Sequence, residues 1–157
     1  MRKGQANLTG AAGEHFVAYT LSCLGIVAAL PRAGAAGVDV LACSADGSKT
    51  IAIQVKTTDW AARQRGRGDQ KAPFQLQFPL GYSSAKLNSP GLIFAFVDLR
   101  GMLNEETQPD VYLVPSTFIC EHCSAWVEQA KMVRFHVGIA EMDSYKNNWS
   151  IVLDALT

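Results

Sequence analysis

The chain has 157 residues and a formal net charge of zero, with 48% apolar and 18% charged residues. This composition excludes a disordered chain, because it supplies enough apolar surface for a hydrophobic core. No apolar run approaches the roughly 20 residues that cross a bilayer, and the polar N-terminus lacks the apolar centre of a secretory signal. We therefore expect one domain over residues 1–157, a cytoplasmic location and no membrane partner.

The charges are unevenly distributed along the chain. Residues 54–90 carry six basic and two acidic groups, whereas residues 91–157 carry four basic and nine acidic groups. A polyanionic partner would therefore contact the middle of the chain. The four cysteines are too sparse for a disulfide framework, and Cys120 and Cys123 lack the second ligand pair of a structural zinc site. We expect reduced thiols, with Cys123 packed in the core.

In chain order, the hydrophobic pattern predicts an amphipathic helix between Gly10 and Ile26, followed by strands and two further helices. The predicted strands are residues 26–31, 38–44, 50–57, 91–99, 111–115 and 133–137, with 74–78 as a possible short strand. The later helices are predicted to begin at Ser116, acting as N-cap, with a stripe reaching Ala130, and to cover residues 144–156. The glycine-rich basic segment 60–72 is predicted to be a surface loop. This order indicates a mixed α/β sheet with helices against its faces.

The segment from Val38 to Thr57 has the pattern of a β-hairpin. An Asp-Gly pair at residues 46–47 favours a two-residue type I′ turn, and facing residues then have numbers that sum to 93. Asp39 lies opposite Gln54 in this register, and Lys56 is on the same face. Opposed Cβ atoms are about 5 Å apart, so the three side chains can converge on one site.

Glu14 adds an acidic group from the first predicted helix. It precedes Val17 by three residues and Leu21 by seven, which places it on the buried stripe of the helix. A carboxylate in that position requires a cation or a hydrogen-bond donor nearby, because an unpaired buried charge is unfavourable.

Together, Glu14 on an opening helix, Asp39 at the start of a strand and the triplet Gln54-Val55-Lys56 at the end of the next resemble the PD-(D/E)XK nuclease superfamily. The resemblance covers residues 10–58 and implies a restriction-endonuclease-like α/β fold, with a mixed central sheet (αβββαβ core) flanked by helices. The chain departs from the family pattern at Gln54, which replaces an acidic residue. The same substitution occurs in active members and in members that have lost cleavage.

The resemblance implies a catalytic group of Glu14, Asp39, Gln54 and Lys56. A single Mg²⁺ (or Mn²⁺) of modest affinity would bind to the Asp39 carboxylate, the Gln54 amide oxygen and the Val55 carbonyl. Lys56 would orient the attacking water or stabilise the anion, while Glu14 would supply a second negative charge.

The sequence further predicts a nucleic-acid contact next to this group. The residues expected to contact phosphates are Thr57, Arg63, Arg65, Arg67 and Lys71. The favoured function is therefore a metal-dependent endonuclease that acts on nucleic acid, with DNA as the expected substrate and a homodimer as a family-level expectation. The alternative is a catalytically weakened nuclease fold that serves as a nucleic-acid- or protein-binding module, as an immunity or accessory factor.

Overall fold

The computed structural model describes residues 3–32, 37–101, 107–129 and 133–157. The helices in these ranges are α1 (Lys3–Cys23), α2 (Ser116–Cys123), α3 (Ile139–Met142) and α4 (Ser150–Leu156). The strands are β1 (Val27–Ala29), β2 (Val40–Cys43), β3 (Thr50–Thr58), β4 (Ala62–Arg65), β5 (Ala72–Pro79), β6 (Leu92–Asp98), β7 (Asp110–Pro115) and β8 (Arg134–Gly138). The predicted mixed α/β class is confirmed.

Five strands form a mixed central sheet in the order β1-β2-β3-β6-β7. Strands β1, β2 and β3 make an antiparallel meander, β6 lies parallel to β3, and β7 returns antiparallel to β6. A second, antiparallel sheet has the order β4-β5-β8. Because β3 and β6 run in parallel, the chain between them has to cross back over the sheet.

The first helix begins earlier than predicted and ends in a Schellman motif. The Ile26 N–H donates to the Leu21 carbonyl, the Gly25 N–H donates to the Ser22 carbonyl, and Gly25 has a φ of 80°. This pattern is the one that a glycine with positive φ makes possible at a helix C-terminus. Leu21 and Ile26 are buried in the same cluster, so the motif fixes how α1 packs on the sheet.

Each face of the central sheet is covered by a different layer. On β6, Ile93, Ala95 and Val97 face a cluster that includes Val17 and Leu21 of α1. The alternate residues of β6 face a second cluster, shared with the second sheet, whose largest members are the aromatic residues Phe78, Phe94, Phe96 and Phe135; we call it the aromatic core. Burial of β6 on both faces explains why its first six residues, 92–97, are a continuous apolar run.

The crossover between β3 and β6 differs from the expected αβββαβ order. Residues 59–91 are all described and contain no α-helix; they form β4, β5 and two short 3₁₀ helices. The prediction of a surface loop over residues 60–72 is therefore wrong for β4. Its polar residues are compatible with a strand because β4 is at the edge of the second sheet.

The β2–β3 hairpin has the predicted register but not the predicted turn. Val40 faces Ile53 and Cys43 faces Thr50, so both pairs sum to 93. The loop contains four residues rather than two, since Ser44 and Lys49 still pair, and of the Asp-Gly pair only Gly47 has a positive φ. The Asp46 carboxylate instead accepts hydrogen bonds from Ser44 and Ser48, which lower its pKa to about 2. Lengthening the loop by one residue on each side leaves the register unchanged.

Three further expectations need correction or limits. Ser116 is the first residue of α2 rather than its N-cap, and its buried hydroxyl donates to the Ser89 carbonyl and accepts the Ser89 N–H. The helix ends at Cys123, which is buried in the core as expected, while Ala130 lies outside the described residues. The final helix is limited to α4 and follows a separate 3₁₀ turn over residues 143–145.

Within the described ranges, no helix is long and apolar enough to span a bilayer.

Candidate active site

Strand β2 begins at Val40, one residue after Asp39, and the break in the ladder defines the candidate site. The Asp39 N–H still donates to the Ile53 carbonyl at 3.0 Å. Its carboxylate oxygen Oδ2 accepts the Val55 N–H at 2.8 Å. The side chain thus takes a hydrogen bond that the main chain of a longer β2 would otherwise make. Asp39 is held in place by β3 itself.

This bond also locates the Val55 carbonyl. The N–H and C=O of a strand residue point towards the same neighbouring strand, because antiparallel partners exchange both hydrogen bonds. The Val55 N–H is directed at Asp39, so the Val55 carbonyl faces the same side of β3, beyond the end of β2. The Asp39 carboxylate and the Val55 carbonyl are therefore oxygen donors on one edge of β3.

Glu14 and Lys56 interact electrostatically with Asp39. Burial lowers the pKa of Lys56, against the raising effects of Asp39 and then Glu14. Burial raises the pKa of Glu14, as does the negative charge of Asp39, while His15 and Lys56 oppose that rise. The structure thus brings the three predicted charged groups, two acidic and one basic, into one electrostatic cluster.

Gln54 directly precedes Val55 on β3 and is buried. Its residue is only 6% exposed, and its amide oxygen Oε1 has no hydrogen-bond partner. An orphan acceptor of this kind is unfavourable in the free protein and suits a hard cation, which takes carboxylate, amide and carbonyl oxygens as ligands. Among the described residues, no group of three or more Asp, Glu, His or Cys side chains is arranged to hold a metal ion. The carboxylate of Asp39, the amide oxygen of Gln54 and the carbonyl of Val55 are nevertheless oxygen donors of the kinds that Mg²⁺ takes as ligands.

The Thr57 side chain packs against Gly13 of α1. A Cβ added to Gly13 would lie 2.0 Å from the Thr57 hydroxyl oxygen, and that oxygen is buried without a hydrogen-bond partner. The absence of a side chain at Gly13 allows the helix to approach β3 closely at this point. Glu14, the next residue, is positioned by this contact. Thr57 borders the cleft described next, but its hydroxyl is turned towards the helix.

A cleft of about 460 Å³ opens at the carboxyl end of β3, between the N-terminal half of α1 and the second sheet. Its cationic side chains are Lys56, Arg63 and Arg134, and its acidic side chain is Asp59, which accepts a hydrogen bond from Thr9. The cleft is therefore net basic, as a phosphate site requires. Glu14, Asp39 and Gln54 do not line it, so Lys56 connects the charged cluster to the cleft.

Two residues of the cleft were not predicted from the sequence. Gln77 on β5 accepts a hydrogen bond from the Arg63 Nε and so orients that guanidinium. Arg134 begins β8 and is adjacent to Pro79 through the β5–β8 pairing. Neither has a motif in the sequence, because both reach the cleft through strand pairings between distant segments.

The other predicted phosphate contacts lie outside the cleft. Arg65, Arg67 and Lys71 are exposed where β4 turns into β5, and none of them lines it. Of the predicted cationic contacts, only Arg63 shares the cleft with Lys56.

No protein-family model matches this sequence, no curated protein matches it, and no solved structure matches the chain.

Proposed function

We propose that this protein is a metal-dependent endonuclease of the PD-(D/E)XK type that hydrolyses DNA phosphodiesters. The observation that carries the proposal is that β2 begins only after Asp39. Because the pairing of β2 with β3 does not extend beyond Val40, the Asp39 carboxylate and the Val55 carbonyl lie on the same edge of β3, and Lys56 lines the neighbouring basic cleft. Oxygen donors for a cation beside cationic groups for a phosphate are what metal-assisted phosphodiester hydrolysis requires.

The strand order supports a restriction-endonuclease-like fold within the broader α/β class. An opening helix packs on an antiparallel three-stranded meander, and the next strand of the same sheet is parallel to the third. This is the order that the family resemblance implies, apart from the crossover, where two strands replace the helix. The difference adds the second sheet, which supplies Arg63 and Arg134 to the cleft.

Each residue has a separable role in this proposal. Mg²⁺, when bound, would supply charge neutralisation at the phosphate and a more acidic water. Asp39, Gln54 and the Val55 carbonyl would hold it, and Glu14 would add negative charge that favours the cation. Lys56 would donate to the phosphate oxygens or the attacking water, since its half-buried ammonium lies between the acidic cluster and the cleft.

The test is nicking of supercoiled plasmid in Mg²⁺ or Mn²⁺. We expect Asp39→Ala and Lys56→Ala to remove nicking while circular dichroism shows a folded protein. Lys49→Ala is the control, because Lys49 is exposed at the opposite end of the hairpin. Wild-type protein that neither nicks DNA nor binds Mn²⁺ would overturn the nuclease proposal.

The second candidate function is a nucleic-acid-binding module without cleavage. The observation that favours it is the neutral Gln54, which leaves only Glu14 and Asp39 as acidic groups in the cluster. One fewer negative charge weakens cation binding. In this case DNA binding should persist in EDTA, be unaffected by Asp39→Ala, and weaken when Arg63 and Arg134 are neutralised together.

A further inference from the structure

The β4–β5 hairpin projects from the protein. All residues from Gln64 to Phe74 are exposed, whereas Leu76 and Phe78, further along β5, are in the aromatic core. We call residues 64–74 the β4–β5 arm. The two strands of the arm remain paired, with Gln64 facing Pro73 and Arg65 facing Ala72, after a register shift next to Arg63. Such a bulge redirects a hairpin, so the arm is a defined two-stranded ribbon.

The tip of the arm has a specific backbone shape. Gly66 and Gly68 have positive φ values, and a 3₁₀ turn covers Gly68–Gln70. A Cβ at Gly66 would lie 2.4 Å from the Gln70 carbonyl oxygen, so the two sides of the turn are in close contact. The glycines therefore shape a narrow tip rather than simply loosening the chain.

The exposed surface of the arm is basic and carries one aromatic ring. Arg65, Arg67 and Lys71 are its cations, and Asp69 is its one acidic residue. Phe74 on β5 is 44% exposed and is not one of the buried residues of the core. At the base of the arm, Arg63 contacts Gln77 in the wall of the cleft. The charge of the arm is thus continuous with that of the cleft.

The dimensions match one groove of duplex DNA. At about 3.3 Å per residue, the paired strands extend roughly 7 Å from Arg63 to Arg65, and the turn over residues 66–71 lies beyond them. The B-form major groove is about 12 Å wide and 8.5 Å deep and admits a two-stranded β-ribbon. An arm of this length can reach base edges while its base remains at the phosphate backbone, where Arg63 and Lys56 lie.

We propose that the β4–β5 arm inserts into the major groove of double-stranded B-form DNA, next to the phosphodiester held in the cleft. This inference rests on the proposed nuclease function and assigns its substrate class. The exposed arginines contact base edges and flanking phosphates, and Phe74 supplies an apolar contact to the groove. Duplex RNA is a poor substrate for this arrangement, because its A-form major groove is too narrow for side chains to read.

The test measures binding separately from cleavage. The Lys56→Ala protein is titrated in EDTA with a 20-base-pair DNA duplex, the RNA duplex of the same sequence and the single DNA strand. The arm variant adds Arg65→Ala and Arg67→Ala; the matched control adds Arg32→Ala and Lys49→Ala, two exposed cations away from the arm. Circular dichroism confirms folding of each variant.

We expect the DNA duplex to bind at least tenfold more tightly than either competitor. The arm variant should lose this preference, and the fall in its DNA affinity between 50 and 200 mM salt should shrink about tenfold, as two lost phosphate neutralisations require. The control should behave as Lys56→Ala alone. A major-groove ligand, methyl green, should compete with the unmodified arm.

Equal binding of DNA and RNA duplexes, or an arm variant that binds as the control does, would overturn the groove assignment and leave the nuclease proposal intact. Conversely, duplex preference without any nicking by the wild type would support the arm and contradict the nuclease. The two failures are therefore distinguishable.

Discussion

The Asp39 carboxylate accepts the Val55 N–H at 2.8 Å, one residue before strand β2 begins. Asp39 thereby marks the N-terminal limit of β2 and places its carboxylate on the same edge of β3 as the Val55 carbonyl. The structural role and the proposed metal-binding role of Asp39 depend on different properties of the carboxylate. An acceptor oxygen is enough for the first, whereas the second requires negative charge.

Asp39→Asn and Asp39→Ala should separate these roles. The amide oxygen of Asn can still accept the Val55 N–H, so we expect Asp39→Asn to keep nearly the wild-type free energy of unfolding and to lose Mn²⁺ binding. Asp39→Ala should lose both, with about 1–2 kcal/mol of stability, because the Val55 N–H is left without its partner. Urea denaturation and Mn²⁺ titration by calorimetry measure the two effects. Equal destabilisation by both variants would contradict this division.

Gln54→Glu should strengthen metal binding and destabilise the metal-free protein. The new carboxylate would be buried in a site that is only 6% exposed and already contains the negative charges of Glu14 and Asp39. We expect the melting temperature to fall in EDTA and to recover with Mn²⁺, since a ligand that binds only the folded state stabilises it. Nicking should increase over wild type.

Gln54→Leu is the matched control for that variant. It removes the amide oxygen that has no hydrogen-bond partner and keeps a side chain of similar volume. We expect unchanged or higher stability in EDTA, together with weaker Mn²⁺ binding. A large loss of stability would show that the Gln54 amide has a structural partner, against the assignment of its oxygen as a cation ligand.

Glu14→Gln should stabilise the metal-free protein at pH 7 but not at pH 4. Burial and Asp39 raise the pKa of Glu14 above 4.5. The Glu14 carboxyl group therefore loses its proton at a lower pH in the unfolded chain than in the folded protein. As the pH rises from 4.5 through the raised pKa of the folded state, the wild type loses free energy of unfolding. Thermal unfolding of both proteins from pH 4 to 7 measures the difference. A pH-independent difference between them would contradict the raised pKa.

Gly13→Ala should destabilise the protein by about 1–3 kcal/mol, because the new methyl group would collide with the Thr57 side chain. Gly10→Ala is the control: nothing lies within 4 Å of its added Cβ, and alanine favours the helix by up to about 1 kcal/mol. If tight helix contact also positions Glu14, Gly13→Ala should weaken Mn²⁺ binding as well. Thermal melts and Mn²⁺ titration of the two variants check both statements.

The hairpin register and the proximity of its charged residues could be predicted because they depend on local rules. Alternation fixes the face of each side chain, and register is unaffected when a symmetric loop grows from two residues to four. Glu14 followed from helical spacing in the same way. These features need information only from residues that are near one another in sequence.

The cleft could not be predicted because it depends on long-range pairing. Strand β8 joins β5 across about 60 residues, and this pairing brings Arg134 to the cleft beside Arg63. The residues of β4 are polar and close to glycines, so their pattern favours a loop, and only the neighbouring β5 makes them a strand. The β4–β5 arm could not be predicted either, because the polar residues and glycines of this segment favour a loop.

Because β2 begins only after Asp39, β3 has an unpaired edge beyond Ile53, although β3 lies inside the central sheet. On the β2 side, no described strand pairs with β3 after Ile53, so Val55 and Thr57 present main-chain groups as an edge strand does. Exposed edges normally invite another chain to add a strand. Here the Asp39 carboxylate accepts the first free N–H of this edge, that of Val55, while α1 packs on the adjoining face of the sheet through the Gly13–Thr57 contact. The central sheet thus contains an internal edge whose first main-chain donor is satisfied by a side chain instead of by a neighbouring strand.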